Sequence, residues 1–306
     1  MRVAVIDCGT NTVRLLIADP GDDGGLKEVT RTLRFARLGE GVDATGRFTP
    51  EALGRTFSVV DQYAEIIANS HVDKVRFVAT SAARDVSNRD EFFAGVEARL
   101  WVAPDVISGD EEAQLSFLGA LSGGPIDVDA QVLVVDIGGG STELVHGSGS
   151  GAILTEVSLD MGSVRIRERF LHHDPGTEEE IRSARDFVNG LLDTSPVDLT
   201  GISMFIGVAG TVTSLSGMNM GLTAYDRTKV HNSTLTVAEI EALSARLFTL
   251  SVAQTIAEYP SLQPERAEVI CAGALICTVL SRRVGQPMTV RETDILDGTA
   301  LQLMRS

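Results

Sequence analysis

The sequence predicts an α/β protein made of two similar domains, and three observations support this prediction. Short runs rich in β-branched residues alternate with longer helical patterns, which is typical of mainly parallel sheets. A motif of strand, aspartate, glycine turn and strand occurs twice, at Asp7 and at Asp136, with matching residue types at a constant offset. Between the copies, Gly123-Gly124-Pro125 separates a helix from a new strand. We therefore expect an N-terminal domain 1–125 and a C-terminal domain 126–306.

The individual elements follow from periodicity and from helix-start signals. Thr49-Pro50-Glu51, for example, starts a helical pattern with proline in its first turn. The segment 294–306, which contains the last predicted helix, is a candidate to pack back on the N-terminal domain. The predicted strands are 3–6, 13–18, 75–79, 132–135, 142–146 and 204–208. The predicted helices are 49–69, 89–100, 111–121, 177–192, 237–251, 264–283 and 294–304.

The composition excludes several classes of protein. With 43% hydrophobic and 22% charged residues, the 306-residue chain is neither disordered, collagenous nor a coiled coil. Its 26 basic and 42 acidic residues give a net charge of −16, which excludes non-specific binding to nucleic acid. A small anionic substrate remains compatible, because salt screens charges beyond about 8 Å. No apolar run is long enough for a membrane span and no leader pattern opens the chain, so we expect a cytoplasmic protein without membrane contact.

The cysteines and histidines do not have the spacing of a metal site. Cys8, Cys271 and Cys277 are odd in number, and Cys271 and Cys277 lie six residues apart in an apolar stretch. Cys8 follows an aspartate of interest, but a small packed residue is the more common role for such a cysteine. We therefore expect three buried thiols without catalytic function.

The two glycine turns are candidate phosphate-binding loops. Such a loop aims backbone N–H groups at one point, and glycine allows the close approach. One copy alone is more often a simple hairpin, whereas a matched pair favours a site that binds an anion from both domains. The candidate residues of the first turn are Gly9, Thr10, Asn11 and Thr12. Those of the second turn are Gly138, Gly139, Gly140, Ser141 and Thr142.

Three acidic residues beside these turns are candidate metal ligands. Asp7 and Asp136 end the strands that lead into the turns, and Glu143 lies on the strand that leaves the second turn. Hard oxygen ligands near phosphate are the usual environment of Mg²⁺. The alternative is that the aspartates cap their own turns and that Glu143 faces solvent.

Further candidates lie where predicted strands lead into loops and helices. Glu112 follows Ser108-Gly109 at a helix start, where acids also stabilise the helix dipole, and local sequence alone favours this capping role over a general base. Arg84 follows small residues after a strand and suits a phosphate contact, or equally a surface ion pair. Gly210 and Thr211 form a strand-to-helix turn that either binds an anion or only connects the two elements.

Taken together, these motifs resemble the exopolyphosphatase / guanosine pentaphosphate phosphohydrolase family, over nearly the whole chain. The resemblance implies the actin–Hsp70–sugar kinase fold, with two similar actin-like (ribonuclease H-like) domains and an interdomain active-site cleft. The residues that carry it are the segments 7–15, 79–84, 109–113, 136–144 and 161–165, together with Gly210 and Thr211.

The resemblance also implies a function and a role for each candidate. The activity is hydrolysis of terminal phosphate from linear polyphosphate, with short chains expected because longer family members carry extra C-terminal domains. Glu112 becomes the expected catalytic base, Arg84 a phosphate ligand, and Asp136 and Glu143, with Asp7 as a third candidate, the ligands of Mg²⁺ or Mn²⁺. Homodimerisation follows by family analogy. The alternatives are guanosine pentaphosphate as substrate, a non-catalytic sensor of polyphosphate or alarmone, and a kinase-like phosphotransferase.

Overall fold

The α/β architecture expected from the sequence is present in the computed structural model, which describes residues 1–22, 24–84 and 86–306. The strands are β1 (Val3–Cys8), β2 (Thr12–Pro20), β3 (Leu26–Phe35), β4 (Lys74–Ala79), β5 (Asp105–Val106), β6 (Gln131–Ile137), β7 (Thr142–Ser148), β8 (Ile153–Leu159), β9 (Met204–Val208), β10 (Thr234–Leu235) and β11 (Met288–Val290). The helices are α1 (Val42–Thr45), α2 (Pro50–Ala68), α3 (Ser81–Arg84), α4 (Arg89–Leu100), α5 (Gly109–Ser122), α6 (Ser163–Phe170), α7 (Glu178–Asp193), α8 (Ala209–Asn219), α9 (Arg227–Val230), α10 (Val237–Leu247), α11 (Val252–Glu258), α12 (Ile270–Val284) and α13 (Ile295–Arg305), with a 3-10 turn at Pro264–Arg266.

The contacts within the chain divide it into two units. Unit 1 comprises Met1–Ser122 and Ile295–Ser306, and unit 2 comprises Gly123–Asp294. The chain therefore passes between the units twice, after Ser122 and after Asp294. The C-terminal helix α13 packs against α5 and β1 of unit 1.

Among the described residues each unit contains one sheet, and the two sheets share the arrangement of their first four strands. In the part of the chain that the structure describes, unit 1 has the order β3-β2-β1-β4-β5 and unit 2 the order β10-β11-β9-β6-β7-β8. The first three strands of each unit, β1–β3 and β6–β8, form an antiparallel meander. A parallel strand then joins the first strand of each meander, β4 beside β1 and β9 beside β6. The internal duplication is thus a duplication of topology.

Strand β1 of the unit 1 sheet is buried on both faces, and it alternates two sets of apolar residues. Ala4 and Ile6 belong to the core that includes α2 and α4. Val3 and Val5 pack on the opposite face with Leu296 of α13. By the same period-two alternation, Asp7 lies on the α13 face. A buried carboxylate on this face needs a charged or hydrogen-bonding partner.

Several short or partly exposed elements were not predicted from the sequence, and the predicted ends of some helices were wrong. The edge strands β3 and β8 were not predicted, because their exposed residues weaken the alternating pattern. The predicted helix 264–283 begins only at Ile270, after the 3-10 turn. The predicted helix 237–251 ends at Leu247, and a separate helix starts at Val252, capped by Ser251. Among the described residues, no helix is both long and apolar enough to cross a membrane.

Candidate active site

The first predicted phosphate loop is a tight hairpin between β1 and β2. The Gly9 N–H donates to the Thr12 carbonyl at 3.0 Å and closes the turn. The parallel pairing of β1 with β4 puts Cys8 opposite Ala79, so the loop lies beside Thr80 and Ser81. The hydroxyls of Thr10 and Ser81 are 3.2 Å apart and share a hydrogen bond. Gly9, Thr10, Asn11 and Thr12 therefore lie at the carboxyl edge of the sheet, where ligands of α/β folds usually bind.

The second predicted loop repeats this geometry in unit 2. The Gly138 N–H donates to the Ser141 carbonyl at 3.1 Å, as Gly9 does to Thr12. Asp136 is paired with Val208 at the end of β9, so Gly210 and Thr211, at the start of α8, lie at the same sheet edge. Thr142 is fully buried, and its hydroxyl donates to the Met161 carbonyl at 2.8 Å. The side chain of Thr142 thus braces the loop.

The orientation of the second loop is fixed through its carbonyl groups. The Gly138 carbonyl accepts from Ser163 N at 2.9 Å, that of Gly139 from Val164 N at 2.8 Å, and that of Gly140 from Gly162 N at 3.1 Å. In a trans peptide the N–H points opposite to the carbonyl of the same plane. The amides of Gly139, Gly140 and Ser141 therefore point away from α6, and among the described residues they donate no hydrogen bond. Successive amides with one orientation form a binding site for an anion.

The first loop is fixed in the same way by a different segment. The Thr10 carbonyl accepts from Gly39 N at 2.8 Å, and the Asn11 carbonyl accepts from Arg37 N at 2.9 Å. The N–H groups of the two following residues are consequently turned to the opposite side. In each unit the segment after the third strand thus binds the loop carbonyls and leaves loop amides oriented for an anion.

Gly162 is the contact point that allows this bracing in unit 2. A Cβ atom at this position would lie 2.2 Å from both the carbonyl carbon and the oxygen of Gly139. Its φ of −87° is accessible to any residue, so glycine is needed for space and not for backbone conformation. The Arg165 Nε also donates to the Gly140 carbonyl at 2.8 Å. Loop and helix are therefore packed backbone against backbone.

The acidic candidates of unit 2 are paired across neighbouring strands. Asp136 lies directly opposite Glu143 in the β6–β7 ladder, and both side chains are buried. Ser158 faces Glu143 from β8, and its hydroxyl donates to the carboxylate at 2.7 Å. Like charges at directly opposed positions of a sheet repel each other. The pair is therefore costly without a cation close to it.

Unit 1 has a cation at the matching position. Asp7 is paired with Arg14 in the β1–β2 ladder, as Asp136 is with Glu143. The Arg14 guanidinium donates twice to one Asp7 oxygen, at 2.9 Å from Nε and 2.6 Å from Nη2. The two halves thus differ in charge at the same place in the fold. Asp7 is partly neutralised by Arg14, whereas Asp136 and Glu143 form an acidic pair.

Glu112 and Arg84 form an ion pair in unit 1. Arg84 ends the short helix α3, and its Nη1 donates to Glu112 Oε2 at 2.7 Å and to the Ile107 carbonyl at 3.1 Å. Glu112 is 8% exposed in the first turn of α5. Local sequence favoured a role in capping the helix. Such an interaction is present one residue earlier, where the backbone N–H of Glu111 donates to the Ser108 hydroxyl at 3.1 Å. Capping and the Arg84 contact thus fall on two successive residues.

Gly210 and Thr211 are enclosed by α12 and the turn before it. A Cβ atom on Gly210 would lie 2.2 Å from Arg266 Nη1, so the guanidinium rests against this glycine. Thr211 is buried, and its side chain fills the space beside Gly273. The cation at the start of α8 comes from Arg266, which the sequence analysis did not select. Arg14 was also not selected, although aligning the two motifs places it at the position that corresponds to Glu143 in the second motif.

Two carboxylates in unit 2 fit a magnesium site that is completed by substrate and water. Mg²⁺ in phosphate-handling proteins is held by one or two carboxylates, with waters and phosphate oxygens filling the other positions. Asp136 and Glu143 supply such a pair. In the described part of the chain, no group of three or more histidine, cysteine and acidic residues could hold a metal by itself. This donor set suits a hard cation and not a tetrahedral zinc site.

Two of the three cysteines have the buried character expected from the sequence, whereas the expectation was wrong for Cys271. Cys8 and Cys277 are fully buried, and Cys271 is partly exposed. Burial, with a smaller contribution from the adjacent Asp7 carboxylate, raises the pKa of the Cys8 thiol well above its ordinary value. Burial raises the pKa of the Cys277 thiol to about 12. Thiols with raised pKa are poor nucleophiles at neutral pH, which leaves the chemistry to oxygen ligands.

The chain is similar to proteins of one family over its full length. The sequence profile of the Ppx/GppA phosphatase family matches residues 16–290. Exopolyphosphatase 2 of Mycobacterium tuberculosis is 45% identical over an alignment of 319 residues, which covers 99% of this chain and 98% of that protein. The crystal structure of the Ppx/GppA family member from Aquifex aeolicus is 30% identical with a TM-score of 0.82, covering 100% and 98% of the two chains. That of an exopolyphosphatase from Cytophaga hutchinsonii is 25% identical with a TM-score of 0.91 and the same coverage.

Proposed function

Because the chain belongs to the Ppx/GppA phosphatase family, we propose that it is an exopolyphosphatase. It hydrolyses the terminal phosphoanhydride bond of linear polyphosphate and releases orthophosphate. The observation that carries this proposal is the duplicated hairpin, in which loop carbonyls are bonded and the amides beyond them are oriented for an anion. A phosphate chain offers the row of anionic oxygens that such amides bind.

In the proposed reaction Glu112 is the general base. Its carboxylate takes a proton from a water molecule, and the water oxygen forms a new bond to the terminal phosphorus. The bridging P–O bond breaks, and its electron pair leaves with the shortened polyphosphate. Burial of Glu112 and its ion pair with Arg84 support this role, because they hold the carboxylate in one position.

The remaining candidates bind and orient the substrate. The amides of the two loops hold phosphate oxygens, with Arg84 and the turn at Gly210 and Thr211 adding contacts. Asp136 and Glu143 would hold Mg²⁺ or Mn²⁺, and the bound cation would neutralise phosphate charge. Asp7, already paired with Arg14, supports the first loop and is the weaker metal candidate. That the two units act on one substrate is part of the proposal.

The proposal is tested by an orthophosphate-release assay on the purified full chain. Substrates are tripolyphosphate, polyphosphates of defined longer lengths and guanosine pentaphosphate, each with and without Mg²⁺. We expect magnesium-dependent release from polyphosphate ends. Release from guanosine pentaphosphate alone would replace the proposed substrate, and tight binding of polyphosphate without any release would identify a sensor instead of an enzyme.

The assigned metal ligands give a prediction for thermal stability as well as for activity. Chelation of divalent cations should abolish turnover, and Glu143→Gln should raise the Mg²⁺ concentration needed for half-maximal activity by roughly tenfold or more, a scale that even outer partners of a bound metal reach. Because the substitution removes one of two opposed charges, Glu143→Gln should also raise the melting temperature in EDTA.

A matched control for this test is Asp129→Asn, which removes a carboxylate from an exposed turn of the same unit. It should change neither the magnesium requirement nor the melting temperature in EDTA. Wild-type magnesium dependence in Glu143→Gln, together with an unchanged melting temperature, would contradict the assignment of this acidic pair as the metal site.

The proposed function includes the location, the oligomeric state and the binding partners of the enzyme. The net charge of −16 suits a small anionic substrate held by local groups and not a nucleic acid. A cytoplasmic location and a homodimer are parts of the same proposal. Sedimentation of the purified chain tests the dimer, and a shift assay with DNA and RNA, expected to be negative, tests the exclusion of nucleic acids.

A further inference from the structure

A serine hydroxyl contacts the acidic pair that we assign to the metal. Ser158 lies on β8 directly opposite Glu143 of β7, and its hydroxyl donates to Glu143 Oε1 at 2.7 Å. Glu143 in turn lies opposite Asp136 of β6. Directly opposed residues of an antiparallel ladder project from the same face of the sheet. The three side chains therefore form one row across three strands of unit 2.

The internal duplication shows that the hydroxyl belongs to the acidic half alone. The corresponding row of unit 1 consists of Asp7, Arg14 and Leu33, paired in the same order across β1, β2 and β3. Its second residue is a cation that donates to Asp7, and its third residue has an apolar side chain without a donor. In unit 2 the second residue is an acid, and the third supplies a donor to it. The hydroxyl thus accompanies the carboxylate and is not a fixed feature of the repeated fold.

The hydrogen bond restricts the conformation of the Glu143 side chain. This side chain is flexible in isolation, and a cation that binds it must hold it in one orientation. A donor on one carboxylate oxygen supplies that orientation before the cation binds. The distance of 2.7 Å is within the range of a hydroxyl bonded to an ionised carboxylate. Outer partners of metal ligands typically change metal affinity or activity by about 10- to 100-fold.

The strand that carries this hydroxyl also leads to the second phosphate loop. β8 ends at Leu159, and the segment after it bonds the loop carbonyls, with Gly162 N donating to the Gly140 carbonyl at 3.1 Å. Ser158 therefore holds the carboxylate from the same strand that leads into the braces of the loop. The positions of the metal ligand and of the loop amides are thus linked within unit 2.

We propose that Ser158 is a positioning residue that holds Glu143 in the orientation that binds the divalent cation. Ser158 acts through Glu143 and not directly on the cation or the phosphate. The proposal rests on the proposed function, because that function assigns Asp136 and Glu143 as the metal ligands. The alternative is that the hydroxyl only satisfies a buried carboxylate, in which case its removal lowers stability and leaves metal affinity unchanged.

The test measures Mn²⁺ binding to the purified full chain without substrate, from the electron paramagnetic resonance signal of the free ion. Ser158→Ala should raise the dissociation constant of Mn²⁺ by about tenfold or more. Ser158→Thr keeps the hydroxyl and should remain near wild type. In the Glu143→Gln background, Ser158→Ala should have no further effect, because the carboxylate that it positions is absent. At saturating Mg²⁺, kcat of Ser158→Ala should recover toward the wild-type value.

Ser148→Ala is the matched control. Ser148 lies at the other end of β7, and its hydroxyl is also 2.7 Å from a partner, the hydroxyl of Ser150. The substitution removes a hydrogen bond of the same length from the same sheet, but the partner is a hydroxyl and not a carboxylate. The Mn²⁺ dissociation constant should therefore stay at the wild-type value.

An NMR titration of the wild-type chain does not depend on whether the variants fold. On addition of Mg²⁺, the backbone amides of Glu143 and Ser158 should shift with a single dissociation constant. The amide of Ser148, at the far end of β7, should not shift with them.

The outcomes distinguish this proposal from the proposed function. A folded Ser158→Ala variant with wild-type Mn²⁺ affinity, or a Ser158 amide that does not respond to Mg²⁺, would overturn the positioning role and leave the phosphohydrolase assignment intact. Equal losses of affinity in Ser158→Ala and Ser148→Ala would overturn it as well, since they would indicate a general loss of structure. A wild-type chain that binds Mn²⁺ as expected but releases no phosphate would instead remove the proposed activity and keep the role of Ser158.

Discussion

Replacing Glu112 by glutamine should lower kcat for polyphosphate hydrolysis by about 10²–10⁴-fold, the usual contribution of a positioned general base. The amide has nearly the same shape as the carboxylate, but it cannot take the proton from water. Its oxygen can still accept the hydrogen bond from Arg84, so the fold and the binding of substrate should persist. Phosphate release measures the loss of turnover, and isothermal titration with tripolyphosphate measures the retained binding.

The neighbouring residue provides a matched control. Glu111→Gln makes the same chemical change one residue earlier on α5, where the side chain is partly exposed and pairs with Arg76 at 2.7 Å. A partly exposed ion pair contributes at most about 1 kcal/mol, so this variant should keep near wild-type kcat. Equal kcat in Glu112→Gln and Glu111→Gln would remove Glu112 from the mechanism.

Replacing Gly162 by alanine should unfold or loosen the second phosphate loop. The new methyl group would lie 2.2 Å from backbone atoms of Gly139, which no side-chain rotation can relieve. We expect a loss of about 2–4 kcal/mol in the free energy of unfolding, as for severe overpacking against backbone. Tripolyphosphate binding should weaken in parallel, because the loop carbonyls lose their partners at the start of α6. Urea denaturation and titration calorimetry measure the two effects.

Gly190→Ala serves as the control within the same unit. Gly190 is exposed on α7, and a Cβ atom there would meet nothing within 4 Å. Alanine in an exposed helix should stabilise the protein by about 0.5–1 kcal/mol without affecting tripolyphosphate binding. If Gly162→Ala bound tripolyphosphate as tightly as Gly190→Ala does, the braced loop would not be the phosphate site.

The two hairpins could be predicted from sequence because their determinants are local. Aspartate at the strand end, glycine in the turn and hydroxyl residues after it occur within one short segment, and each copy supports the interpretation of the other. The structure adds that Gly9 and Gly138 close their turns with the same backbone hydrogen bond. The local sequence pattern is therefore sufficient to predict a hairpin whose conformation depends on the motif itself and not on distant contacts.

The elements that hold the hairpins in place could not be predicted in this way. The loop carbonyls are bonded by segments about 25 residues away in sequence, such as Ser163 N to the Gly138 carbonyl. The arginines 165, 167 and 169 alternate in sequence as they would in a strand, but they lie on the helix α6, where Arg165 and Arg169 share one face and Arg167 lies on another. Arg165 donates to the Gly140 carbonyl, whereas Arg169 stacks over the ring of Phe187.

The partners of charged residues were the least predictable feature. Nothing local indicates that Arg84 binds Glu112, or that Arg266 rests on Gly210, because each pair joins distant parts of the chain. Arg14 is the exception, since aligning the two motifs places it at the position of Glu143. A charge difference between two copies of one motif is therefore a signal that the amino-acid sequence carries by itself.

The central claim of the proposed function is that two copies of one hairpin bind the same phosphate chain. Its most direct test is an NMR titration of the Glu112→Gln variant, which should bind tripolyphosphate without cleaving it. We predict that the amides of Asn11 in unit 1 and of Gly139 and Gly140 in unit 2 shift together, with one dissociation constant and one ligand per chain. Shifts in only one hairpin, or two binding events with separate constants, would contradict the account.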